Sequence, residues 1–129
     1  MLSPHFSYAE MTRTNVRQSN EPGIGELENL KVLCAKIMEP CRDLVGPIWI
    51  TSGFRNYIIN TRIGGSPSSQ HCKGQAADWV PLSMDLKGAF LKVMESVFVD
   101  YDQLIFEVPN GLGRGWIHIS HDPNKDNQR

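Results

Sequence analysis

The stretch ELENLKVLCAKIMEP, residues 26 to 40, places its apolar side chains on one face of a helix. This face consists of Leu27, Leu30, Cys34, Ile37 and Met38. A helix of this kind is stable mainly through the packing of its apolar stripe, so the rest of the chain must supply a surface that covers it. Pro40 is expected to end or kink the helix, and CRDLVG to continue as a further turn.

Four short segments with alternating apolar residues are expected to supply that surface as β-strands: PIWITSG, GQAADWV, YDQLIFEV and GWIHISH. The segment SMDLKGAFLKVMESVF predicts a second amphipathic helix, with Leu86, Phe90 and either Val93 or Met94 on its inner face. Ser7 and Glu10 have capping-box spacing, and NYIINTRIGG reads as a helix closed by glycines. PNGLGRG reads as a hairpin loop. The order of elements predicts an α+β fold, in which helices flank a small, mostly antiparallel sheet.

The length of 129 residues predicts one domain over residues 1–129, with a polar tail at 122–129. Three cysteines, an odd number without a CxxC pair, argue against a disulfide framework and a zinc ribbon. The net charge of −1 gives no footprint for nucleic acid. We expect no membrane insertion and, without a signal peptide, synthesis in the cytoplasm. A monomer is expected, although the surface composition does not determine the oligomeric state.

A histidine and an aspartate flank a glycine turn in SSQHCKGQAADW, at His71 and Asp78. In WIHIS, Ile117 and Ile119 are expected to face the core, which turns His118 to the other side of its strand. If the two strands are neighbours, His118, Asp78 and His71 converge. Two imidazoles and a carboxylate suit Zn²⁺, and three protein ligands leave a fourth position for water, as in catalytic zinc sites.

A catalytic zinc site also needs a general base near the bound water. Glu107 ends the strand that precedes the glycine-rich loop, and it shares a face with Gln103 and Ile105. A carboxylate at the end of an apolar strand is costly unless it meets solvent, a metal or a partner. The residues alone leave a chance association of histidines and acidic groups open. His121 is expected to be solvated and outside the ligand set.

The motifs SGFR, GGSPSSQHCKGQAADW, FE and WIHIS together resemble the zinc D-Ala-D-Ala carboxypeptidase and endopeptidase family of peptidoglycan hydrolases. The resemblance is to its short, single-domain bacterial and phage branch, and it runs from about residue 2 to 121. It implies zinc ligation by His71, Asp78 and His118. It also implies that Arg55 binds the substrate carboxylate or polarises the scissile carbonyl.

The catalytic carboxylate is the part of the pattern that this chain does not reproduce directly. Several members have it three residues before the last histidine, where this chain has Gly115. Others, including the similar hedgehog signalling domain, have it at the end of the preceding strand, a placement that Glu107 matches. Ser69 and Trp116 are further candidates for substrate binding, whereas Trp79 is expected to pack in the core.

The resemblance implies hydrolysis of peptide bonds between D-amino acids in peptidoglycan stem peptides, at the cell wall or in the periplasm. A phage lysis enzyme would reach the wall through holes in the membrane. The alternative is a catalytically silent module of the same fold that binds metal or the cell wall. Whether the enzyme would be a carboxypeptidase or an endopeptidase is left open by the sequence.

Overall fold

A computed structural model describes residues 1–109 and 114–124 of the chain. Its helices are α1 (Tyr8–Thr12), α2 (Ile24–Leu33), α3 (Glu39–Val45), α4 (Tyr57–Arg62) and α5 (Leu86–Glu95), with a π turn at Cys34–Met38 and a 3₁₀ turn at Gln70–Lys73. Its strands are β1 (Ile48–Ser52), β2 (Ala76–Pro81), β3 (Leu104–Glu107) and β4 (Trp116–Ser120). The predicted α+β class is confirmed. The tip of the predicted PNGLGRG loop and the end of the predicted tail lie outside the described residues.

The strands of the described residues form one sheet in the order β1-β2-β4-β3, and every neighbouring pair is antiparallel. The central pair, β2 and β4, joins segments that are about 40 positions apart in the sequence, and it aligns Asp78 with His118. Because directly paired residues of antiparallel strands point to the same face, this alignment sends both side chains to one side of the sheet. The sheet therefore brings distant polar residues together on its outer face.

The inner face of the sheet packs against the helices, as the alternation of apolar residues predicts. Ala77 and Trp79 of β2 and Ile117 and Ile119 of β4 are fully buried. Trp79 is a core residue, as expected from its face. In α5, Val93 is buried and Met94 is 38% exposed. Of these two residues, Val93 therefore lies on the inner face of the helix.

The long helix does not end at Pro40, contrary to one of the two outcomes expected from the sequence. A π turn at Cys34–Met38 joins α2 to α3, and the Glu39 N–H donates to the Cys34 carbonyl. Proline cannot donate a backbone hydrogen bond, and its ring clashes with the carbonyl four residues earlier in an α-helix. The wider π turn accommodates both effects, so the apolar face continues through Cys41 and Val45 of α3.

One residue of β1 is extra relative to its partner strand. Ile50 pairs with Trp79 and Ser52 pairs with Asp78, so Thr51 forms a bulge between two consecutive partners. A bulge of this kind changes the alternation of side chains beyond it. Trp49, which pairs with Val80, and Ser52 consequently both lie on the same face as Asp78.

None of the helices in the described part of the chain combines the length and hydrophobicity that a bilayer crossing requires.

The turn that carries His71 ends at Gly74, which has a left-handed backbone with φ of 73°. The turn rests on α2: Asn29 donates to the Lys73 carbonyl at 2.9 Å, and a Cβ added at Gly74 would lie 2.4 Å from the Glu26 carbonyl oxygen. Glycine is thus required at Gly74 both by backbone conformation and by close approach of two backbones.

We expect Gly74→Ala to lower the free energy of unfolding by about 3 kcal/mol, since it adds a backbone clash to the cost of the left-handed conformation. Gly64→Ala is the matched control, because Gly64 has a similar φ of 78° but open space around its Cβ position. It should cost only about 1 kcal/mol. Urea unfolding of both variants measures the difference, and equal losses would contradict the docking of this turn on α2.

Candidate metal centre

Three side chains from three elements meet on the outer face of the sheet. His71 comes from the 3₁₀ turn, Asp78 from β2 and His118 from β4, and their ligand atoms all lie within 4.8 Å of one another. Among the histidine, cysteine, aspartate and glutamate side chains of the described residues, these three are placed closely enough to hold a metal ion together. The structure thus brings together the three residues that the sequence assigns to zinc.

His71 is buried, and its ring is oriented by two contacts. Its Nδ1 lies 2.7 Å from the Gly53 carbonyl oxygen, so Nδ1 carries the proton and donates it there. This leaves the Nε2 lone pair directed toward Asp78, whose Oδ1 is 3.3 Å away. The Ser69 hydroxyl caps the turn by accepting from the His71 N–H at 3.2 Å. An anchored imidazole that presents its other nitrogen is the arrangement usual for metal-bound histidines.

His118 presents Nδ1 to the same carboxylate oxygen, at 2.9 Å from Asp78 Oδ1. The rings of His71 and His118 are tilted by 59°, with centroids 5.3 Å apart. The side chains of Asp78 and His118 each keep 15% of their surface exposed, whereas His71 keeps 3%. The group is therefore open on one side, and a ligand could reach it from solvent.

The electrostatic environment keeps Asp78 ionised. Burial by itself raises the pKa of Asp78, but the close contacts with the imidazoles of His118 and His71 hold the net pKa well below its usual range. A carboxylate that stays charged is the form that binds a cation. Arg55 is close enough to interact with the charge of Asp78: burial lowers the pKa of the guanidinium, while Asp78 and Cys72 raise it.

The cysteines do not take part in this group. Burial, together with the nearby charges of Glu10 and Glu39, raises the pKa of the Cys34 thiol to about 12, and burial also raises the pKa of Cys41. Metal binding requires the thiolate. Cys72 follows His71 in the turn, yet its burial raises its pKa more than Arg55 lowers it.

The donor set fits zinc. Two imidazole nitrogens and one carboxylate oxygen are typical of catalytic zinc sites, and three protein ligands leave a coordination position open. A pocket of about 270 Å³ lies beside His118, and its walls include Arg55, Ser69 and Gln103. The open side of the ligand group thus faces a space in which a substrate could bind.

Arg55 and Ser69, the two residues that the sequence proposes for substrate binding, both line this pocket. The backbone N–H of Arg55 also donates to the His71 carbonyl at 3.2 Å, which ties the arginine segment to the histidine turn. Trp116 is half-buried on the same face as His118, and it pairs with Glu107 across β3 and β4. Glu107 therefore faces the same side of the sheet as His118. It lies two residues along β3 from Ile105, which is the residue that pairs with His118.

Asn20 supports the site but was missed in the sequence, because a lone asparagine in a polar loop carries no pattern. Its buried side chain donates to the Thr12 carbonyl at 2.9 Å and to the Phe54 carbonyl at 2.8 Å. It also accepts from the Asn56 N–H at 2.8 Å. These bonds fix the segment that contains Gly53, the acceptor for His71, and Arg55.

His121 is buried rather than solvated, contrary to the expectation from its place after the last strand. Its Nδ1 lies 2.8 Å from the Asp100 carbonyl oxygen, and its backbone N–H donates to the Gln75 carbonyl at 2.9 Å. It lies outside the ligand group, as expected. Hydrogen bonds to the backbone offset the cost of burying the ring.

Comparison with known proteins agrees with this geometry. A sequence model of the family described as Peptidase M15 matches residues 4–120, so the chain belongs to this family, the zinc D-Ala-D-Ala carboxypeptidase family. Peptidases of the family are zinc-dependent. No curated protein matches the chain significantly.

We expect the purified protein to bind about one zinc ion per chain. His118→Ala should weaken zinc binding by ~100-fold or more, because removing a ligand should cost more affinity than removing a residue that only hydrogen-bonds to a ligand. His5→Ala is the control, because His5 binds Glu39 on the protein surface and lies outside the group. Competition with a chromogenic chelator measures both affinities. Equal zinc affinity of wild type and His118→Ala would contradict the assignment.

Proposed function

We propose that this M15 family member is a zinc metallopeptidase that hydrolyses D-alanine-containing peptide bonds in the stem peptides of bacterial peptidoglycan. The observation that carries the proposal is the convergence of His71, Asp78 and His118 beside a pocket whose wall includes Arg55. A ligand set that is open to solvent on one side, next to a cation, suits hydrolysis of a substrate that bears a carboxylate.

His71 Nε2, Asp78 Oδ1 and His118 Nδ1 would hold the zinc ion. When bound, zinc supplies Lewis acidity, which polarises a carbonyl and lowers the pKa of water to about 7. The Gly53 carbonyl accepts a hydrogen bond from His71 Nδ1, which orients the ring so that Nε2 faces the metal position.

Glu107 is proposed as the general base that takes a proton from the attacking water and passes it to the leaving amine. Its strand register turns it to the same face as His118. The other family position for this carboxylate is occupied by Gly115, where an added Cβ would lie 2.2 Å from the Glu107 carbonyl oxygen. A side chain at position 115 would thus clash with the backbone of β3, which favours Glu107 for the role.

Arg55 is proposed to bind the substrate. Its guanidinium, half-buried near Asp78, can form a bidentate pair with the carboxylate of a terminal D-alanine or stabilise the negative charge that develops on the scissile carbonyl. Ser69 caps the histidine turn and lines the same pocket. Trp116 offers an aromatic surface on the same face, suited to apolar contact with the stem peptide.

Action on stem peptides implies that the protein works at the cell wall. We propose that the protein is a lysis enzyme of phage or prophage origin, which reaches the wall through holes in the cytoplasmic membrane.

Digestion of purified peptidoglycan followed by mass spectrometry tests the reaction. Release of free D-alanine would identify a carboxypeptidase, and loss of crosslinked dimers would identify an endopeptidase. Zinc-loaded wild-type protein that gives neither product would contradict the proposal and favour a metal-binding module without turnover.

We expect Glu107→Ala to lower kcat on muropeptides by at least ~100-fold while the zinc content stays unchanged, because a general base contributes about 10²–10⁴-fold to the rate. Glu95→Ala, which removes an exposed carboxylate at the end of α5, is the matched control. If Glu107→Ala cleaves muropeptides as fast as wild type, another group is the base.

A further inference from the structure

An exposed tryptophan lies on the same face of the sheet as the metal ligands. Trp49 is 51% exposed, and it pairs with Val80 on β2, two positions beyond Asp78. The bulge at Thr51 is the reason that Trp49 and Ser52 face the same way although they are three positions apart. Val80 and Asp78 are two residues apart on β2, so at about 3.3 Å per residue the row of Trp49 lies roughly 7 Å from the row of Asp78.

Arg13 is held over this tryptophan. Its guanidinium carbon lies 4.3 Å from the centroid of the Trp49 ring, and Nη2 donates to the Ile50 carbonyl at 2.7 Å. These two contacts fix the plane of a side chain that is itself exposed. Because a guanidinium has five N–H donors, the single bond to Ile50 leaves donors available for a ligand.

The positive charge of Arg13 has no carboxylate partner among residues 1–109 and 114–124. Arg13 and Trp49 line a pocket that also includes Glu10. The Glu10 carboxylate caps α1 instead, because it accepts from the Ser7 N–H at 3.2 Å and from the Ser7 hydroxyl at 3.1 Å. Arg42 adds a further positive charge to that pocket, which has a volume of about 420 Å³.

Pockets that share lining arginines lie between this cation and the metal centre. Arg55 lines the pocket beside His118 and also a second pocket of about 220 Å³ along Ser52. Arg13 lines this second pocket, and it also lines the 420 Å³ pocket beside Trp49. Arg55 and Arg13 thus line successive pockets from His118 past Ser52 to Trp49.

We infer that Arg13 and Trp49 form a second substrate subsite, which binds a free carboxylate on an acidic stem peptide about two residues from the scissile bond. The inference rests on the proposed function and names the substrate class more narrowly. Arg13 pairs with the carboxylate through its unused N–H groups, and the Trp49 ring supports the neighbouring apolar part of the peptide. Stem peptides whose acidic residues are amidated lack this charge, so the subsite distinguishes the two chemical forms.

The test compares two synthetic stem pentapeptides, one with free side-chain carboxylates and one in which they are amidated. Dissociation constants are measured by calorimetry with zinc-loaded Glu107→Ala protein, which should not cleave the peptides. KM values are measured with protein that retains Glu107. We expect the acidic peptide to bind about 10-fold more tightly than the amide, as charge-assisted hydrogen bonds predict. Arg13→Gln should reduce this preference to about one, and Arg13→Lys should restore part of it.

Arg17→Gln is the matched control, since Arg17 is an exposed arginine four residues away in the same loop and the substitution makes the same change in net charge. It should keep the 10-fold preference. Thermal unfolding and zinc content of each variant establish that the fold and the metal centre are intact.

Equal binding of the acidic and amidated peptides by protein with Arg13, or an unchanged preference in Arg13→Gln, would overturn the subsite. The same holds if neither peptide binds. If wild type cleaves stem peptides while Arg13→Gln keeps the preference, the subsite is wrong and the proposed function stands. If the preference depends on Arg13 but no peptide is cleaved, the subsite stands and the proposed reaction is wrong.

Discussion

The site depends on the antiparallel pairing of β2 with β4, which aligns Asp78 with His118. A shift of one residue would turn His118 into the core and expose Ile117 and Ile119, because side chains alternate across a strand. The register is therefore fixed by burial of the two isoleucines and of Ala77 and Trp79 on the inner face. The same apolar packing that stabilises the domain thus holds two of the metal ligands at 2.9 Å from each other.

The third ligand is placed by a different part of the molecule. His71 lies in a short turn that docks on α2 through Gly74, and its ring is anchored to the Gly53 carbonyl. That carbonyl lies in a segment held by the buried side chain of Asn20. Preorganised anchors of this kind matter because a metal site tolerates only small errors in the position of its ligands.

Much of the fold and of the metal centre could be predicted from alternation and spacing, because the burial of Ile117 and Ile119 dictates the direction of His118. Pro40 predicted an end or a kink of the helix, but not the π turn that accommodates the proline. The bulge at Thr51 could not be predicted, since it depends on pairing with β2, which no local pattern records. Asn20 was missed for the same reason: its bonds join segments that are far apart in the sequence. The bulge bears on the inferred subsite, because it allows Trp49 and Ser52 both to lie on the face of Asp78.

The central claim is that His71, Asp78 and His118 together bind one zinc ion and leave a position open. X-ray absorption spectroscopy of the zinc-loaded protein tests it most directly. We predict a first shell of nitrogen and oxygen at about 2.0–2.2 Å, with imidazole scattering from two rings. A sulfur shell at about 2.3 Å, which would indicate ligation by Cys72, or scattering from three rings, which would bring in His121, would contradict it.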